Sequence, residues 1–476
     1  KPVNWCYKCE TALAEAEVEY EDHVSPSVYV KFKLSDEQPA NKIFHETTFL
    51  VIWTTTPWTH VANVAVAVHP ELRYSYIKTG QGNLVIGTDL LAQVLGKSGI
   101  EKYELLKEFE GRQLEGLVYE HPFALRKGKV VTADYVSKED GTGLVHTAPG
   151  HGSEDYLTGL RYKLDIIMPV DARGRFDQTA GEFSGLNVYE ANKHIVEKLK
   201  NIGSLLCESS ISHSYPHCWR CKSPIIFRAT KQWFMLIDHE NLRDKLLRAI
   251  KNDVQWVPSS GEERISSMVE LRPDWCLSRQ RYWGVPVPAL VCQECREEFF
   301  DAQTILNFAK LVASEGSDCW FVRDVSDFAP KGLTCPVCNK GKIFSKGSDI
   351  LDVWFDSGVS HQAVLKKRPE LKGTPCELYL EGSDQHRGWF QSSLIPSIAI
   401  DARPPYKCVL THGHVVDSEG RKMSKSMGNV ISPQEIIKEY GADILRLWVA
   451  SSDYNEDIRI SKEMLKRLSE AYRKIR

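Results

Sequence analysis

The sequence predicts an α/β protein of several domains: an open parallel sheet, a β-rich module and a cysteine-bearing connecting region. Three observations carry this. Residues 351–450 alternate strand-like and helix-like segments around a lysine-rich loop, residues 15–212 hold many short β-type runs separated by turn signals, and eight of 13 cysteines fall into four Cys-x-x-Cys pairs. A length of 476 residues gives room for two to four domains, and 42% hydrophobic content supplies ordinary cores. The net charge of -3 does not mark an overtly basic nucleic-acid binder, although large RNA-recognising enzymes can rely on local basic grooves. No run of about 18 apolar residues offers a transmembrane segment, and residues 1–30 lack the apolar core of a signal peptide.

In chain order, residues 1–14 carry Cys6 and Cys9, the first half of a metal site. Residues 15–212 form a strand-rich, barrel-like module, with strands expected at Thr48–Trp53, Tyr74–Lys78 and Leu84–Ile86 and the clearest helix at Glu190–Asn201. Residues 213–350 read as a less regular connective region. It carries Cys218/Cys221, which complete a four-cysteine zinc site with Cys6/Cys9, and Cys292/Cys295 with Cys335/Cys338, which make a second. More than 200 residues separate the halves of the first site, so an entire domain is expected between two stalks that one ion would pin together. Reduced thiols without metal are the alternative for either site.

Residues 351–450 contain the expected strand Glu377–Glu381, a helix from about His386 to Ile400, the strand Tyr406–Thr411, and the run Arg421 to Asn429, which reads RKMSKSMGN. A helix follows, with Ser432 as its cap, Pro433 in its first turn, Glu435 completing a capping box and Gly441 at its end. Two lysines in an exposed polar loop held between fixed elements suit a polyphosphate. When a nucleophile attacks the α-phosphate of ATP, charge gathers on the departing pyrophosphate, and mobile ammonium groups can meet it there. Glu381, Gly382, Asp384 and Gln385 sit at a strand's carboxyl end, where glycine admits substrate to the backbone and carboxylates can hold a ribose hydroxyl or an ammonium. Residues 451–476 begin a basic helix.

Within the β-rich module, Thr54-Thr55-Thr56-Pro57-Trp58-Thr59 and Asn63 concentrate hydroxyls at a strand end. Gly141 to Gly152, with His146, His151 and then Asp155, adds a glycine-rich loop, imidazoles and a carboxylate, which is a hydrolytic pocket in outline. Threonine-rich strands and glycine loops are more often only strands and turns.

The Lys-Met-Ser-Lys-Ser run resembles the second signature of class I aminoacyl-tRNA synthetases. The stretches TTTPWT, EGSDQH, DVWFDSG (352–358) and WCLSRQRYWG (275–284) resemble the isoleucyl branch of that class, over essentially the whole chain. The resemblance implies the second half of a Rossmann-like catalytic fold with an inserted β-rich editing domain at 15–212, stalks at 1–14 and 213–350 with zinc, catalytic residues at 351–450, and the start of a helical tRNA-binding domain at 451–476. It implies that Lys425, assisted by Lys422, contacts ATP with its magnesium, that Glu381, Gly382, Asp384 and Gln385 hold the aminoacyl adenylate, and that Trp354 walls the amino-acid pocket. Thr55, Thr56 and Asn63 are expected to line the editing pocket, Asp155 to hold the α-ammonium and His146 to exclude the isoleucyl side chain. The implied activity is ATP-dependent charging of tRNA-Ile with isoleucine and hydrolysis of mischarged valyl-tRNA, by a cytoplasmic, zinc-containing monomer without membrane association.

The first class signature, a His-Ile-Gly-His-like tetrapeptide, is absent from these 476 residues, and the chain opens at Lys1. An internal fragment that retains editing alone is therefore expected, with an unpaired sheet edge that leaves residues 351–450 poorly stable by themselves. A valyl enzyme would carry arginine at position 56, where this chain has Thr56. A non-catalytic tRNA-binding or zinc scaffold would leave the lysine loop unexplained.

Overall fold

A computed structural model describes residues 1–38, 44, 46–371, 373–424 and 427–476. They form two compact units, one of residues 1–233 with 278–282, the other of residues 234–277 with 283–476.

The first unit is built on strands whose apolar faces are buried. A six-stranded sheet runs, in spatial order, Leu205–Cys218, Val18–Lys33, Thr48–Thr54, Gly82–Gly87, Arg73–Thr79 and Tyr103–Glu110. A four-stranded sheet follows the order Leu144–Thr147, Ala65–Val68, Lys127–Thr132, Val118–Glu120. Val51, Ile77, Leu84 and Ile86 pack with Val94 and Leu95 of the helix Leu91–Lys97. The helix Val188–Asn201 starts where Asn187 caps it and Glu190 returns the capping box, and it buries Val188, Ala191, Ile195 and Leu199 on one side. The module is therefore two sheets with flanking helices.

At the base of this unit the chain closes on itself. Pro2–Cys6 pairs antiparallel with Ile226–Ala229, and Val18–Lys33 pairs with Leu205–Cys218 from Val18↔Cys218 to Val30↔Leu205. Beside this closure lies Glu17, fully buried, whose carboxylate accepts from Arg279 Nε at 3.2 Å and Arg281 Nη1 at 3.0 Å and from the Ala14 N–H at 2.8 Å. Arg279 is itself 1% exposed. A charge buried so completely is tolerable only because it is paired and hydrogen-bonded.

The second unit contains a three-stranded parallel sheet in the order Gln255–Val257, Tyr406–His412, Cys376–Gly382. The last two strands are joined through the helix Trp389–Asp401, a βαβ crossover. That helix is buried almost all round, including Phe390, Leu394 and Ile395, and it packs with Trp256, Tyr379, Tyr406 and Val409. The strand Gln255–Val257 and the helices Leu242–Asn252 and Ser260–Glu270 come from the stretch expected to be irregular. Both helices are amphipathic, burying Leu242, Leu246, Ala249, Ile250 and Ile265, Val269. Gln255–Val257 pairs with the flank of Tyr406–His412 that residues 351–450 alone would leave open, and Cys376–Gly382 stands at the other edge with Leu378 and Leu380 about half exposed. The remaining parts are a small three-stranded ribbon around Cys292 and Cys335, with Phe308, Trp320 and Phe328 as its core, and a helical cluster in which Ile436, Ile444 and Trp448 meet Leu465 of the helix Lys462–Ile475.

Replacing Glu17 by alanine removes the buried carboxylate on which Arg279 Nε and Arg281 Nη1 converge. The first unit should lose about 3–5 kcal/mol, read as a lowered denaturation midpoint with an unchanged slope.

Candidate functional site: two cysteine clusters, a threonine–histidine pocket and a strand-end site

The four Cys-x-x-Cys pairs come together as two clusters, Cys6, Cys9, Cys218 and Cys221 in the first unit and Cys292, Cys295, Cys335 and Cys338 in the second. Within each, all sulfurs lie within 4.8 Å of one another. Measured separations are 3.4 Å for Cys6–Cys221, 3.9 Å for Cys292–Cys338 and 3.8 Å for Cys295–Cys335. A tetrahedral ion with metal–sulfur bonds of about 2.3 Å spaces its ligands about 3.8 Å apart, so both clusters fit one.

The backbone repeats itself at all four pairs. The residue after each second cysteine, namely Glu10, Lys222, Arg296 and Asn339, has positive φ between 51° and 62°. This left-handed residue turns the chain so that both thiols face one point, and it costs about 1–2 kcal/mol for a non-glycine residue. N–H groups aim at sulfur, from Cys9 to Cys6 and from Gly341 to Cys338, each at 3.3 Å. A Cβ at Gly341 would fall 2.3 Å from the Cys292 sulfur, so this position admits only glycine. The Gly341 and Lys340 N–H groups hold the Cys338 thiol down at about 6. Burial opposes ionisation of Cys221, but the Ser223 N–H and hydroxyl outweigh it and hold that thiol at about 7. Burial pushes the Cys6 and Cys9 thiols up, so Cys221 in the first cluster and Cys338 in the second are the thiols ready to ionise near neutrality.

In the β-rich module, the strand Thr48–Thr54 ends where Pro57 fixes the first turn of a short 3-10 helix, Pro57–Ala62. Thr55 and Thr56 are half-buried at this junction. Thr56 Oγ1 lies 3.2 Å from Thr54 Oγ1 and 3.4 Å from Thr59 Oγ1. His146, on the adjacent strand Leu144–Thr147, places Nε2 2.7 Å from Thr59 Oγ1 and Nδ1 3.2 Å from Asn63 Nδ2. Burial, with His151 and His121 adding to it, pushes His146 down to about 3, so the ring is neutral. Asn63 is 1% exposed and both ends of its carboxamide are engaged. Asp155, in the first turn of the helix Ser153–Tyr162, accepts from the Ala148 N–H at 2.8 Å and the Tyr135 hydroxyl at 3.4 Å. Burial still raises its carboxyl to about 6. Thr59, from the hydroxyl run at the strand end, and Tyr119, which the sequence does not mark, also belong to this constellation. Tyr119 lies 56 residues from Asn63, and no local pattern signals their contact.

In the second unit, Glu381 and Gly382 end the strand Cys376–Gly382, and a 3-10 turn, Ser383–His386, follows. Glu381 and Asp384 are exposed, and the Asp384 carboxylate stands 3.7 Å from His414 Nε2. Gln385 turns its oxygen to the Trp389 N–H at 2.9 Å, which caps the next helix. Trp354 is partly buried against the core, its backbone N–H held by the Asp352 carboxylate at 3.1 Å, and a Cβ at Gly388 would meet its ring at 2.9 Å. A cavity of about 190 Å³ opens at the strand ends, lined by Arg264, Ser383, His386, Thr411 and His412. This is where parallel sheets present ligands.

Lys422 is exposed on the loop beyond, whereas Lys425 lies outside the described residues. The loop is tied by Asp417 and Asn429. Asp417 accepts from Asn429 Nδ2 at 3.0 Å and from the Arg421 N–H at 2.9 Å, and these donors hold its carboxyl far below the ordinary range. Asn429 Oδ1 in turn accepts from the Ser424 N–H at 2.9 Å. Beyond the loop, Ser432 Oγ accepts from the Glu435 N–H at 3.3 Å and caps the helix Pro433–Tyr440. Among the described residues no helix is long and apolar enough to cross a membrane.

Comparison with known proteins identifies the family. The profile of the family described as "tRNA synthetases class I (I, L, M and V)" matches residues 1–461. The isoleucine–tRNA ligase of Nitratidesulfovibrio vulgaris strain DP4 is 54% identical over 481 residues, which cover all of this chain and 51% of that protein. Those of Petrotoga mobilis and Thermotoga maritima are each 52% identical, with the same coverage. The chain thus spans about half the length of these curated relatives. A solved leucyl enzyme complex, Agrobacterium radiobacter K84 agnB2 LeuRS-tRNA-LeuAMS, aligns with 96% of this chain and 48% of its own at 18% identity and a TM-score of 0.34, too weak a likeness to inform the fold. With the family match running from the first residue through position 461, over both cysteine clusters, the threonine pocket and the lysine loop, the chain belongs to the class I tRNA synthetases.

Proposed function

We propose that this chain is the editing and lysine-loop portion of an isoleucine–tRNA ligase, with residues 15–212 as the editing domain and 351–450 as the second half of a Rossmann-like catalytic domain. The observation that carries the reading is identity of 52–54% along the whole chain with ligases of that name. The whole protein activates isoleucine with ATP and magnesium and passes the acyl group to tRNA-Ile. The amino-acid carboxylate attacks the α-phosphate, pyrophosphate leaves, and Lys422 and Lys425 meet the charge that develops on it. Glu381, Gly382, Asp384 and Gln385 hold the adenylate, and Trp354 stands at the amino-acid side chain. The enzyme works as a cytoplasmic monomer.

Isoleucine exceeds valine by one methylene, too little for one cavity to reject the smaller ligand. This limit has isoleucyl-tRNA synthetases as its standard example, and a second, hydrolytic sieve answers it. Here Asp155 pairs with the α-ammonium of a valyl ester, the hydroxyls of Thr55 and Thr56 hold the attacking water and the ester oxygen, and His146 narrows the pocket. Water adds to the ester carbonyl, and the ribose oxygen departs with a proton. This chain should hydrolyse valyl-tRNA-Ile and spare isoleucyl-tRNA-Ile, and Asp155→Ala should lower valyl release by about a hundredfold, the scale of a lost charge-assisted contact. Equal hydrolysis of both esters would refute the assignment.

The raised carboxyl of Asp155 fixes the pH dependence. The carboxylate form binds the ammonium, so deacylation should fall as pH drops through about 6, and Asp155→Asn should abolish that step in the profile. Stability moves the other way: a carboxyl raised by burial favours the folded state below its unfolded value near 3.8, and that advantage is gone once pH rises through about 6. Asp155→Asn should therefore stabilise the chain at neutral pH and not at pH near 4.

Zinc is the ion proposed for both clusters, since four thiolates at tetrahedral spacing select it. Elemental analysis should find two zinc ions per chain, and Cys338→Ser should leave one.

A further inference from the structure

The atoms around His146 admit one consistent placement of protons. Asn63 directs one end of its carboxamide at the Ala65 carbonyl, 2.9 Å away. A carbonyl only accepts, so that end is the NH2 group. The same nitrogen lies 3.2 Å from His146 Nδ1. The other end, Oδ1, accepts from the buried Tyr119 hydroxyl at 2.5 Å, which locks the amide the same way round. An NH2 group facing Nδ1 requires a lone pair there, so the single proton of the neutral ring sits on Nε2. Nε2–H then donates to Thr59 Oγ1 at 2.7 Å, and the Thr59 hydrogen goes to the Thr56 carbonyl at 2.8 Å, again an acceptor only. With its own hydrogen committed, Thr59 can only accept from the Thr56 hydroxyl 3.4 Å away.

We propose that Tyr119, Asn63 and His146 form a positioning relay that fixes His146 as the Nε2–H tautomer, so that the imidazole orients the Thr59 and Thr56 hydroxyls and exchanges no proton during hydrolysis. The chain of donors runs Tyr119 to Asn63, Asn63 to His146, His146 to Thr59, Thr59 to the Thr56 backbone. A ring that donates at Nε2 and accepts at Nδ1 has no free lone pair with which to activate water. The consequence for hydrolysis rests on the proposed editing function, whereas the tautomer does not.

The tautomer is read directly in the intact chain labelled with ¹⁵N-histidine, where couplings from ring nitrogens to carbon-bound protons distinguish the two forms and His146→Gln identifies the signal. One Nε2–H form, unchanged between about pH 8 and pH 6, is expected, and an Nδ1–H form, a mixture or titration in that range overturns the proposal. Asn63→Ala removes the NH2 group that faces Nδ1 and should bring in the second tautomer; a ring that stays wholly Nε2–H in this folded variant overturns the relay. On valyl-tRNA-Ile, His146→Gln keeps an N–H at the Nε2 position and should lose clearly less kcat than His146→Leu, which should lose about tenfold, the worth of one hydrogen bond. A folded Gln variant that loses about a hundredfold or more would show acid–base chemistry at His146 and refute the relay. Should the wild-type chain release no valine, the editing function fails and the spectra alone decide the tautomer.

Discussion

The closure at the base of the first unit is the constraint on which that unit depends. Its chain leaves through Pro2–Cys6, makes more than 200 residues of sheet and helix, and must return to Ile226–Ala229 in register. Two pairings hold the two ends together, that of those strands and the long ribbon between Val18–Lys33 and Leu205–Cys218, and Cys6, Cys9, Cys218 and Cys221 converge from both ends. A cross-link that closes a loop of roughly 200 residues removes about 5 kcal/mol of chain entropy from the unfolded state on the same reasoning that applies to disulfides. The ion proposed for these four thiolates would be such a cross-link. The left-handed residues Glu10 and Lys222 are the local cost of turning two Cys-x-x-Cys segments inward, and they sit at opposite ends of this loop.

The buried triad of Glu17, Arg279 and Arg281 belongs to the same closure. Its carboxylate is fully enclosed, and the two guanidinium groups that converge on it come from more than 260 positions away in the chain. Hydrophobic side chains could pack this space with less desolvation. Charges instead make the site intolerant of any other arrangement, because each partner left alone in the interior is strongly disfavoured.

The pocket and the strand-end site use opposite physical regimes. Around Thr54–Thr59, His146 and Asp155, polar groups are buried, neutral or held near the point of ionisation, and the hydrogens of Asn63, Thr59 and Tyr119 each have an acceptor, which fixes geometry before a substrate arrives. At Glu381, Asp384 and Lys422 the charges are exposed, and Asp417 and Asn429 tether the loop. The proposed editing step, which turns on one methylene, calls for the former, and the proposed contact with a departing pyrophosphate is served by the latter.

What the sequence determined by itself is local. Cys-x-x-Cys spacing marks the ligand pairs, Ser432 and Pro433 mark a helix start, and alternating apolar residues mark the strands of the module, because each depends on neighbours within a few positions. The lysine run around Lys422 and the threonines at 54–56 were legible for the same reason. Tertiary structure alone decided the rest. It added the short strand Gln255–Val257 to the parallel sheet, where three residues carry no periodic signal, and it set Tyr119 and Ala65 against the Asn63 amide. It also chose which arginines meet Glu17. Such contacts depend on burial and on the geometry of distant segments, and a buried polar atom takes whichever partner the fold brings within reach, since leaving it unpaired costs more than almost any local preference can offset.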